Sequence, residues 1–311
     1  MTPLFVGLLA AVPCVYWTGG IETRPAVEAA SVVRLCISPD QADTWTTSGL
    51  RITPMSEADF AARDVLPPPG IAARAGLASP TRMPFVVAGG WRMMRNPSAR
   101  FASVVPAGKA ALAIAEGFTY GADVAVRIDP GDLQAAGAMA SFLETLPPSD
   151  LPVVADVSVV DDGSPVTGEV LNLLARRNLL FRIVTAPAPA PGITISIGSP
   201  DYPVADAADP SAFALKVRHQ VTDERRALRL FGSEVVVGRL TAANGRARLQ
   251  LLNYGGREIE GLRVRVRGRY RSAKAYVAGA GSAPVEDQVT ADDATEFSLP
   301  RLITYAAIDL E

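Results

Sequence analysis

The sequence predicts an α/β fold followed by a C-terminal all-β sandwich, and two kinds of pattern predict it. Strand-like and helix-like patterns alternate over residues 24–148 and again over residues 151–232, which is typical of parallel α/β layers. Beyond residue 234, polar and apolar residues alternate, as in Arg246–Leu251 and Leu262–Arg267. Such period-two segments are typical of antiparallel strands with one buried face. We therefore expect two α/β segments and a β-sandwich at 234–311.

The first α/β segment contains one well-defined helix between predicted strands. Apolar residues recur at helical spacing from Lys109 to Tyr120, and Gly121 should end this helix. Asp129 precedes Pro130 and should begin the next helix as its N-cap. Apolar runs predict strands at Val32–Ile37, Met83–Ala88 and Ala122–Ile128.

The second α/β segment has the pattern of a compact βαβ unit. A strand at Val153–Val160, a helix at Thr167–Arg177 and a strand at Leu179–Val184 follow one another with short loops. The Ala-Pro repeat over 186–191 predicts a stiff extended loop. Two further elements are then predicted, a strand at Ile193–Ile197 and a capped helix at Asp209–Leu228.

The N-terminal segment has two interpretations. Leu4–Val12 is apolar like the core of a signal peptide, although no Lys or Arg precedes it. Residues 1–22 are therefore either a signal peptide or a truncated first element of the domain. The former implies a secreted or periplasmic protein, and a cytoplasmic location stays open. No stretch reaches the roughly 18 to 20 apolar residues of a membrane-spanning helix, so we expect no stable membrane span.

Composition excludes several function classes. The 30 Lys and Arg nearly balance the 32 Asp and Glu, giving a net charge of −2, which argues against nucleic acid as a partner. Cys14 and Cys36 are too few for a structural zinc site, although they could form a disulfide in an oxidising compartment. His219 is the single histidine and is expected on the surface of a helix. Without nucleotide-binding or zincin motifs, we expect no metal and no organic cofactor.

Three stretches carry a resemblance to bacterial glycoside hydrolases. Pro84–Trp91 followed by Ala111–Gly121 resembles late strand and helix segments of a TIM-barrel glycosidase. Asp156–Val184 resembles the flavodoxin-like or amidotransferase-like domain of family-42 β-galactosidases. Leu249–Tyr254, together with the terminal Phe297–Leu310, resembles the small C-terminal β-sandwich of the same enzymes. This resemblance implies a partial TIM barrel, a flavodoxin-like unit and a sandwich. It also implies a carbohydrate ligand and hydrolysis by carboxylate acid/base chemistry.

Four carboxylates are candidate catalytic residues, because glycoside hydrolysis needs a pair of them with one held protonated. Asp129 directly follows a buried strand, and Asp161 and Asp162 follow another, which places all three at ligand-facing edges of parallel sheets. Glu116 lies among alanines in the predicted helix. The structural alternatives are a helix N-cap for Asp129, loop caps for Asp161 and Asp162, and a solvent-facing position for Glu116.

The loop that begins Gly89-Gly90 is the candidate substrate-binding segment. Trp91 offers a face for stacking on a sugar ring, while Arg92, Arg95 and Asn96 offer hydrogen-bond donors. The alternative is a tryptophan that fills the core beside a tight turn.

The sandwich carries a further candidate, a set of arginines whose alternation places several on one sheet face. They could bind an anionic glycan or form an ordinary solvated face interleaved with Glu258, Glu260 and Asp287. The set comprises Arg246, Arg248, Arg263, Arg265, Arg267 and Arg269.

Two other functions remain open on the sequence alone. A full barrel takes about 250 residues, more than the 24–148 segment holds. The chain could therefore be a truncated, non-catalytic homologue that binds carbohydrate or forms a homo-oligomer. It could also be a regulatory module that binds a small anion at Asp162–Ser164, where a helix is expected to begin.

Overall fold

A computed structural model describes residues 12–46, 50–72, 85–186 and 192–311. They form two compact units: the first contains the described residues up to Pro69 together with Asn96–Asp150, and the second contains Gly70–Arg95 and Leu151–Glu311. The signal-like segment before Val12, the first two residues of the strand predicted at Met83 and most of the Ala-Pro loop lie outside the described residues.

Eight α-helices and twenty strands occur in the described residues. The helices are α1 (Arg24–Ala29), α2 (Pro39–Trp45), α3 (Glu57–Ala61), α4 (Gly90–Arg95), α5 (Ala110–Tyr120), α6 (Leu133–Thr145), α7 (Pro165–Arg176) and α8 (Pro210–Val221). The strands up to the end of the α/β part are β1 (Cys14–Tyr16), β2 (Arg34–Ile37), β3 (Arg51–Pro54), β4 (Asp64–Leu66), β5 (Gly70–Ala72), β6 (Phe85–Val87), β7 (Arg100–Val104), β8 (Asp123–Arg127), β9 (Val157–Val160), β10 (Phe181–Val184) and β11 (Ile193–Ile195). The remaining strands are β12 (Leu228–Phe231), β13 (Val236–Ala243), β14 (Arg246–Asn253), β15 (Ile259–Arg267), β16 (Ala273–Val277), β17 (Gly281–Pro284), β18 (Glu286–Ala291), β19 (Ala294–Leu302) and β20 (Tyr305–Leu310).

The first unit is built on a six-stranded parallel sheet in the order β3-β2-β1-β8-β7-β4. This is the cyclic order of a barrel, opened between β3 and β4 among the described residues. The predicted helix at 109–120 is present as α5, and Gly121 ends it in the left-handed conformation, with φ of 64°. Because all six strands run the same way, their carboxyl ends meet at one edge, the side where ligands bind in such sheets.

A buried disulfide joins β1 and β2, which are neighbouring strands of this sheet. Cys14 on β1 and Cys36 on β2 are bonded, with their Cα atoms 5.7 Å apart. Both cysteines are buried in a cluster with Tyr16, Met55 and Phe60. The disulfide that the sequence left open is therefore part of the core of the first unit.

The second unit begins with a three-stranded parallel sheet in the order β10-β9-β11, with α4, α7 and α8 packed in the same hydrophobic core. The predicted βαβ unit is present as β9, α7 and β10. The core of this part contains Trp91, Val159, Leu171, Leu174 and Phe213.

Two predicted elements of the second unit are shorter than expected. The strand predicted at Val153–Val160 is divided: the N–H of Val154 donates to Leu240 on β13, and only the last four residues form β9. The helix predicted at Asp209–Leu228 ends at Val221, because Thr222 has a positive φ of 61°. Leu228 instead starts β12, since its side chain fills the core of the sandwich.

The C-terminal residues form the predicted antiparallel sandwich. One sheet has the order β12-β15-β19-β18 and the other has the order β13-β14-β20-β16-β17. The predicted hairpin turn joins β13 and β14, and both Asn244 and Gly245 have positive φ values, as a type I′ turn requires. The α/β sheets and the sandwich together confirm the predicted fold class.

The arginine set of the sandwich lies among acidic partners rather than on a free face. Arg248 is buried and makes a bidentate ion pair with Asp309. Arg263 pairs with Glu296, and Arg267 pairs with Asp293. These partners differ from the interleaved acids expected from the sequence, because pairing across strands decides which charges meet.

Among the described residues, no helix is both long and apolar enough to cross a bilayer.

Candidate functional site

The carboxyl edge of the six-stranded sheet brings together three polar side chains. Tyr16 ends β1 and Arg127 ends β8, and these two residues are paired in register on adjacent strands. Glu57 begins α3, three residues beyond the end of β3, at the same edge. Residues far apart in the chain therefore meet where parallel sheets hold their ligands.

The three side chains form one hydrogen-bonded cluster, named here the edge cluster. The Tyr16 hydroxyl donates to Oε2 of Glu57 over 3.1 Å, and Nη2 of Arg127 donates to the same oxygen. Oε1 of Glu57 has no hydrogen-bond partner among the described residues. The Glu57 side chain is 64% exposed, so this carboxylate faces solvent.

Aromatic packing fixes Arg127 in the cluster. The rings of Tyr16 and Phe60 are stacked with centroids 4.6 Å apart. The Arg127 guanidinium lies 4.8 Å from the Tyr16 ring centroid and 4.5 Å from that of Phe60. Its Nε atom is buried without a hydrogen-bond partner. The guanidinium is thus held in place by ring faces while only part of its donor capacity is used.

Local structure fixes Glu57 as well. Ser56 caps α3, and its hydroxyl accepts from the N–H of Asp59, whose carboxylate accepts from the N–H of Ser56 in return. This reciprocal capping box sets the direction in which α3 leaves the sheet. Glu57 is therefore presented at the edge by a short, well-defined helix start.

The Glu57 carboxylate and the Arg127 guanidinium stabilise each other's ionised forms. The hydrogen bond from Arg127 holds the pKa of Glu57 below its usual value. The same contact raises the pKa of Arg127, and burial together with the Glu57 bond raises the pKa of Tyr16. At neutral pH the cluster therefore presents an ionised carboxylate, a guanidinium and a neutral phenol, which can accept and donate hydrogen bonds but offer no acidic carboxyl proton.

The edge cluster was not among the residues selected from the sequence. Tyr16 and Glu57 are 41 positions apart, and Glu57 and Arg127 are 70 apart. A polar residue at the end of a buried strand is the signal that could have selected Arg127. Glu57 carries no such signal, because its Ser56–Asp59 context predicts only a helix start.

Asp129 lies at the same edge, just beyond β8, but its side chain is hydrogen-bonded to a backbone N–H group. Its carboxylate is exposed and accepts from the N–H of Gly131, which caps a short 3-10 helix at Pro130–Asp132. Asp132 is buried and accepts from the N–H groups of Gly108, Lys109 and Ala110, thereby holding the start of α5. The structural alternative for Asp129, a helix cap, matches its geometry.

Glu116 is buried within α5, with 2% of its surface exposed. The solvent-facing alternative is wrong, because α5 packs against both α6 and β8 and covers this position. Glu116 therefore lies inside the first unit and away from solvent.

Asp161, Asp162 and Arg95 are brought together in the second unit at the end of β9. Arg95 makes a bidentate ion pair with Asp161, with N–O distances of 2.8 and 2.7 Å, and also donates to the carbonyl of Ser164. Asp161 also accepts from Gly163, and Asp162 accepts from the N–H of Ser164 at the start of α7. The hydrogen bonds from Arg95 lower the pKa of Asp161, and the Ser164 N–H lowers that of Asp162.

Trp91 and Arg92 lie near this ion pair, and the tryptophan is part of the core. Trp91 is 7% exposed and packs in the α/β core of the second unit, while the Arg92 guanidinium lies 4.2 Å from its ring centroid. A Cβ on Gly168 would come within 3.2 Å of the Trp91 ring and 2.9 Å of Arg95, so a glycine permits this close packing. The expected open stacking face is therefore covered in this structure.

Asn96 is exposed in the first unit, where it accepts a 3.4 Å hydrogen bond from the Ser98 hydroxyl. His219 is exposed on α8, as expected from the sequence. In the described part of the chain, no group of three or more His, Cys, Asp or Glu side chains is arranged to hold a metal ion.

Comparison with known proteins identifies similar structures but no family. No protein-family profile matches the chain, and no curated protein sequence matches it. The α-L-fucosidase isoenzyme 2 from Paenibacillus thiaminolyticus matches with a TM-score of 0.54 and 10% identity, over 87% of this chain and 70% of that chain. A rhamnosidase from Novosphingobium sp. PP1Y matches with a TM-score of 0.43 and 10% identity, over 86% of this chain and 37% of that chain. A β-galactosidase from Bacillus circulans sp. alkalophilus matches with a TM-score of 0.39 and 9% identity, over 89% and 63%.

At this level of identity the likeness to the fucosidase concerns the fold alone. The chain shares with this fucosidase the combination of α/β sheet and β-sandwich. The chain therefore has a glycoside-hydrolase-type fold.

Proposed function

We propose that this protein binds a carbohydrate at the carboxyl edge of the six-stranded sheet, through the edge cluster of Tyr16, Glu57 and Arg127. The observation that carries the proposal is the exposed Glu57 carboxylate at this edge. One of its oxygens is held by Tyr16 and Arg127, and the other has no partner within the described part of the chain. The glycoside-hydrolase-type fold supports a sugar as the ligand. From the sequence resemblance, we also propose that the chain has the domain layout of the family-42 β-galactosidases.

The cluster has the hydrogen-bonding chemistry that sugar recognition needs. Each sugar hydroxyl both donates and accepts, so a fixed carboxylate beside a fixed guanidinium can bind two neighbouring hydroxyls at once. Glu57 supplies the acceptor at Oε1, and Arg127 supplies donors beyond the one used by Glu57. Because both side chains are held by Tyr16 and Phe60, little conformational entropy is lost when a ligand binds.

The protonation states favour binding over hydrolysis. A glycosidase needs one carboxyl group that stays protonated near neutral pH, which requires a raised pKa. Glu57, Asp161 and Asp162 all have lowered pKa values, so each is ionised and cannot donate a proton. We therefore propose carbohydrate binding, the non-catalytic alternative, as the role of the edge cluster, whose carboxylate Glu57 is ionised.

The buried disulfide supports a secreted or periplasmic location. Disulfides persist in oxidising compartments and are rare in the cytosol, where thiols are kept reduced. Cys14 and Cys36 are the two cysteines of the chain, and they are bonded to each other.

The proposal is tested by measuring binding and turnover with fucose-, rhamnose- and galactose-containing oligosaccharides and aryl glycosides. Isothermal titration calorimetry gives the affinity, and released sugar gives the turnover. We expect binding without sugar release. Glu57→Gln, which keeps the size of the side chain but removes its charge, should weaken binding about tenfold or more, since hydrogen bonds to charged groups are the strong ones.

The matched control is Asp123→Asn at the other end of β8. Asp123 also pairs with an arginine, Arg63, over 3.1 Å in the same sheet, but it lies at the amino end of the strand. Its substitution should leave sugar binding unchanged. Equal loss of binding in both variants, or release of sugar that Glu57→Gln does not affect, would overturn the proposal.

A further inference from the structure

A second polar surface, in the second unit, is lined by five arginines. The groove has a volume of about 590 Å³ and opens between α7, α8 and β12. We name it the arginine groove, and its cationic residues are Arg176, Arg177, Arg218, Arg226 and Arg229. A volume of this size lies within the range of sites for small organic ligands.

The arginine groove has more positive than negative charge. Glu234 is the acidic residue in its lining, and Asp223 lies beside it. Three guanidinium groups share the Asp223 carboxylate: Arg218 bonds it over 2.6 and 2.9 Å, Arg226 over 3.1 Å, and Arg229 lies 3.6 Å away. Asp223, Glu234 and Glu224, which also interacts with Arg229, are three carboxylates against the five arginines of the groove. The chain as a whole has a net charge of −2, so this positive region is local.

Arg226 is the most deeply buried arginine of the groove. Its side chain is 7% exposed, and its terminal nitrogens donate to Asp223 and to the carbonyls of Arg177 and Asn178 at the end of α7. Its Nε atom is buried without a hydrogen-bond partner. A buried guanidinium with an unused donor carries an unfavourable desolvation cost.

The pKa of Arg226 reflects its burial. Burial lowers its pKa, and the attraction of Asp223 does not offset that burial. Asp156, the other nearby carboxyl, accepts from the N–H of Ala227, and burial raises its pKa. An anionic group entering the groove would therefore meet an under-compensated cation.

The walls of the groove also contain apolar surface. Leu173, Leu230 and Phe231 contribute to the lining, and the Arg229 guanidinium lies 4.7 Å from the Phe231 ring centroid. A small inorganic anion would contact only the guanidinium groups. A ligand with rings as well as charges would also use the apolar lining.

We propose that the arginine groove binds an acidic oligosaccharide, with the carboxylates of its uronic acid residues held by the guanidinium groups. A planar guanidinium group can donate two parallel hydrogen bonds to one carboxylate. The choice of an anion rests on the groove alone. The choice of an oligosaccharide rests on the function proposed above, although the groove is a separate site from the edge cluster.

The test compares two ligands that differ in charge. A tetrasaccharide of galacturonic acid and the corresponding neutral tetrasaccharide of galactose are titrated into the full chain by calorimetry at low and high salt. The galacturonate ligand should bind more tightly by about tenfold or more at low salt, and added salt should weaken its binding. Sodium sulfate serves as the probe for a simple anion, and it should bind more weakly than the galacturonate ligand.

The deciding variant is Arg177→Gln/Arg229→Gln, which removes two charges from the groove while Arg226 keeps its bonds to the backbone. The matched control, Arg263→Gln/Arg267→Gln, removes two charges from the sandwich. Galacturonate binding should fall about tenfold in the first variant and stay unchanged in the second. Equal loss in both variants, no preference for the charged ligand, or sulfate binding as tight as galacturonate would overturn the proposal.

The two proposals can fail separately. Neutral sugar binding lost in Glu57→Gln but kept in Arg177→Gln/Arg229→Gln supports the edge cluster alone. Galacturonate binding lost in Arg177→Gln/Arg229→Gln but kept in Glu57→Gln supports the arginine groove, whether or not neutral sugars bind.

Discussion

Two carboxylate–arginine pairs lie at the carboxyl ends of parallel strands, one in each unit, and they differ in what remains available to a ligand. In the first unit Glu57 pairs with Arg127, and its side chain is 64% exposed. In the second unit Asp161 pairs with Arg95, and its side chain is 15% exposed. Asp161 also accepts from Gly163, while Arg95 donates to Ser164. The Asp161 pair is thus nearly saturated by the protein, whereas the Glu57 pair is not.

The difference teaches that position at the carboxyl edge is not enough to identify a binding site. Both pairs occupy the edge at which ligands bind in parallel sheets. In one pair the carboxylate stabilises the start of α7 and the packing of α4. In the other, the carboxylate keeps an unpartnered oxygen toward solvent. The first arrangement is expected to affect stability, and the second is expected to affect binding.

Opening the disulfide should give the largest effect and should act on the first unit. Cross-linking Cys14 and Cys36, which are 22 positions apart, is expected to contribute about 3 kcal/mol by restricting the unfolded chain. Reduction should therefore lower the melting temperature, as measured by calorimetry with and without reductant. The Cys14→Ser/Cys36→Ser variant should melt at the reduced temperature whether or not reductant is present. Unchanged melting after both thiols become titratable would contradict this expectation.

Asp161→Ala should have the next largest effect, on stability rather than on sugar binding. It leaves the Arg95 guanidinium without its bidentate partner, which should cost about 1 to 3 kcal/mol. Chemical denaturation of the variant measures this cost, with Glu57→Gln as the comparison that should change stability little. The distinction between the two pairs fails if Asp161→Ala is as stable as wild type and Glu57→Gln is not.

Lowering the pH should also reduce the stability contributed by the Asp161–Arg95 pair, by less than Asp161→Ala does. The pKa of Asp161 is lowered in the folded protein from its usual 3.8, so its stabilising contribution is complete above about pH 4 and is lost as the pH falls through the lowered value. Asp223, whose pKa is also lowered, contributes in the same range. Asp161→Asn should flatten the loss of stability below pH 4, as followed by denaturation at several pH values. An identical acid profile in wild type and variant would rule out this role for Asp161.

Tyr16→Phe should give the smallest effect. It removes one hydrogen bond to Oε2 of Glu57 but keeps the ring that stacks on Phe60. Sugar affinity is expected to fall about threefold to tenfold, with little change in melting temperature. A loss as large as that of Glu57→Gln would mean that the phenol itself contacts the ligand, and no loss would mean that Arg127 alone positions Glu57.

The sandwich was predictable from the sequence because its signals are local. Strict alternation marked Arg246–Leu251 and Leu262–Arg267, and Asn244-Gly245 marked the turn. The helix at 109–120 was predictable for the same reason, from its periodicity and from Gly121. In contrast, Val153 and Val154 were assigned to β9, because nothing in their neighbours shows that they pair with β13.

The sites were harder to predict because they depend on tertiary contacts. Asp161, Asp162 and Arg95 were selected from two loops and do meet, but their mutual ion pairing could not be read from either loop. The sequence left open whether Trp91 stacks on a sugar or fills the core, and in the structure the ring packs against Gly168. The edge cluster draws on three segments, so only the pairing of β1 with β8 reveals it.

The most direct test of the edge cluster is hydrogen–deuterium exchange with and without the tightest-binding neutral oligosaccharide. Bound sugar should slow exchange in peptides that contain Trp17, the start of α3 and the residues after Arg127, because the ligand would order the carboxyl edge of the six-stranded sheet. Exchange around Arg95 and Asp161 should stay unchanged. Protection confined to the Arg95–Asp161 region, with none at the edge cluster, would contradict the account.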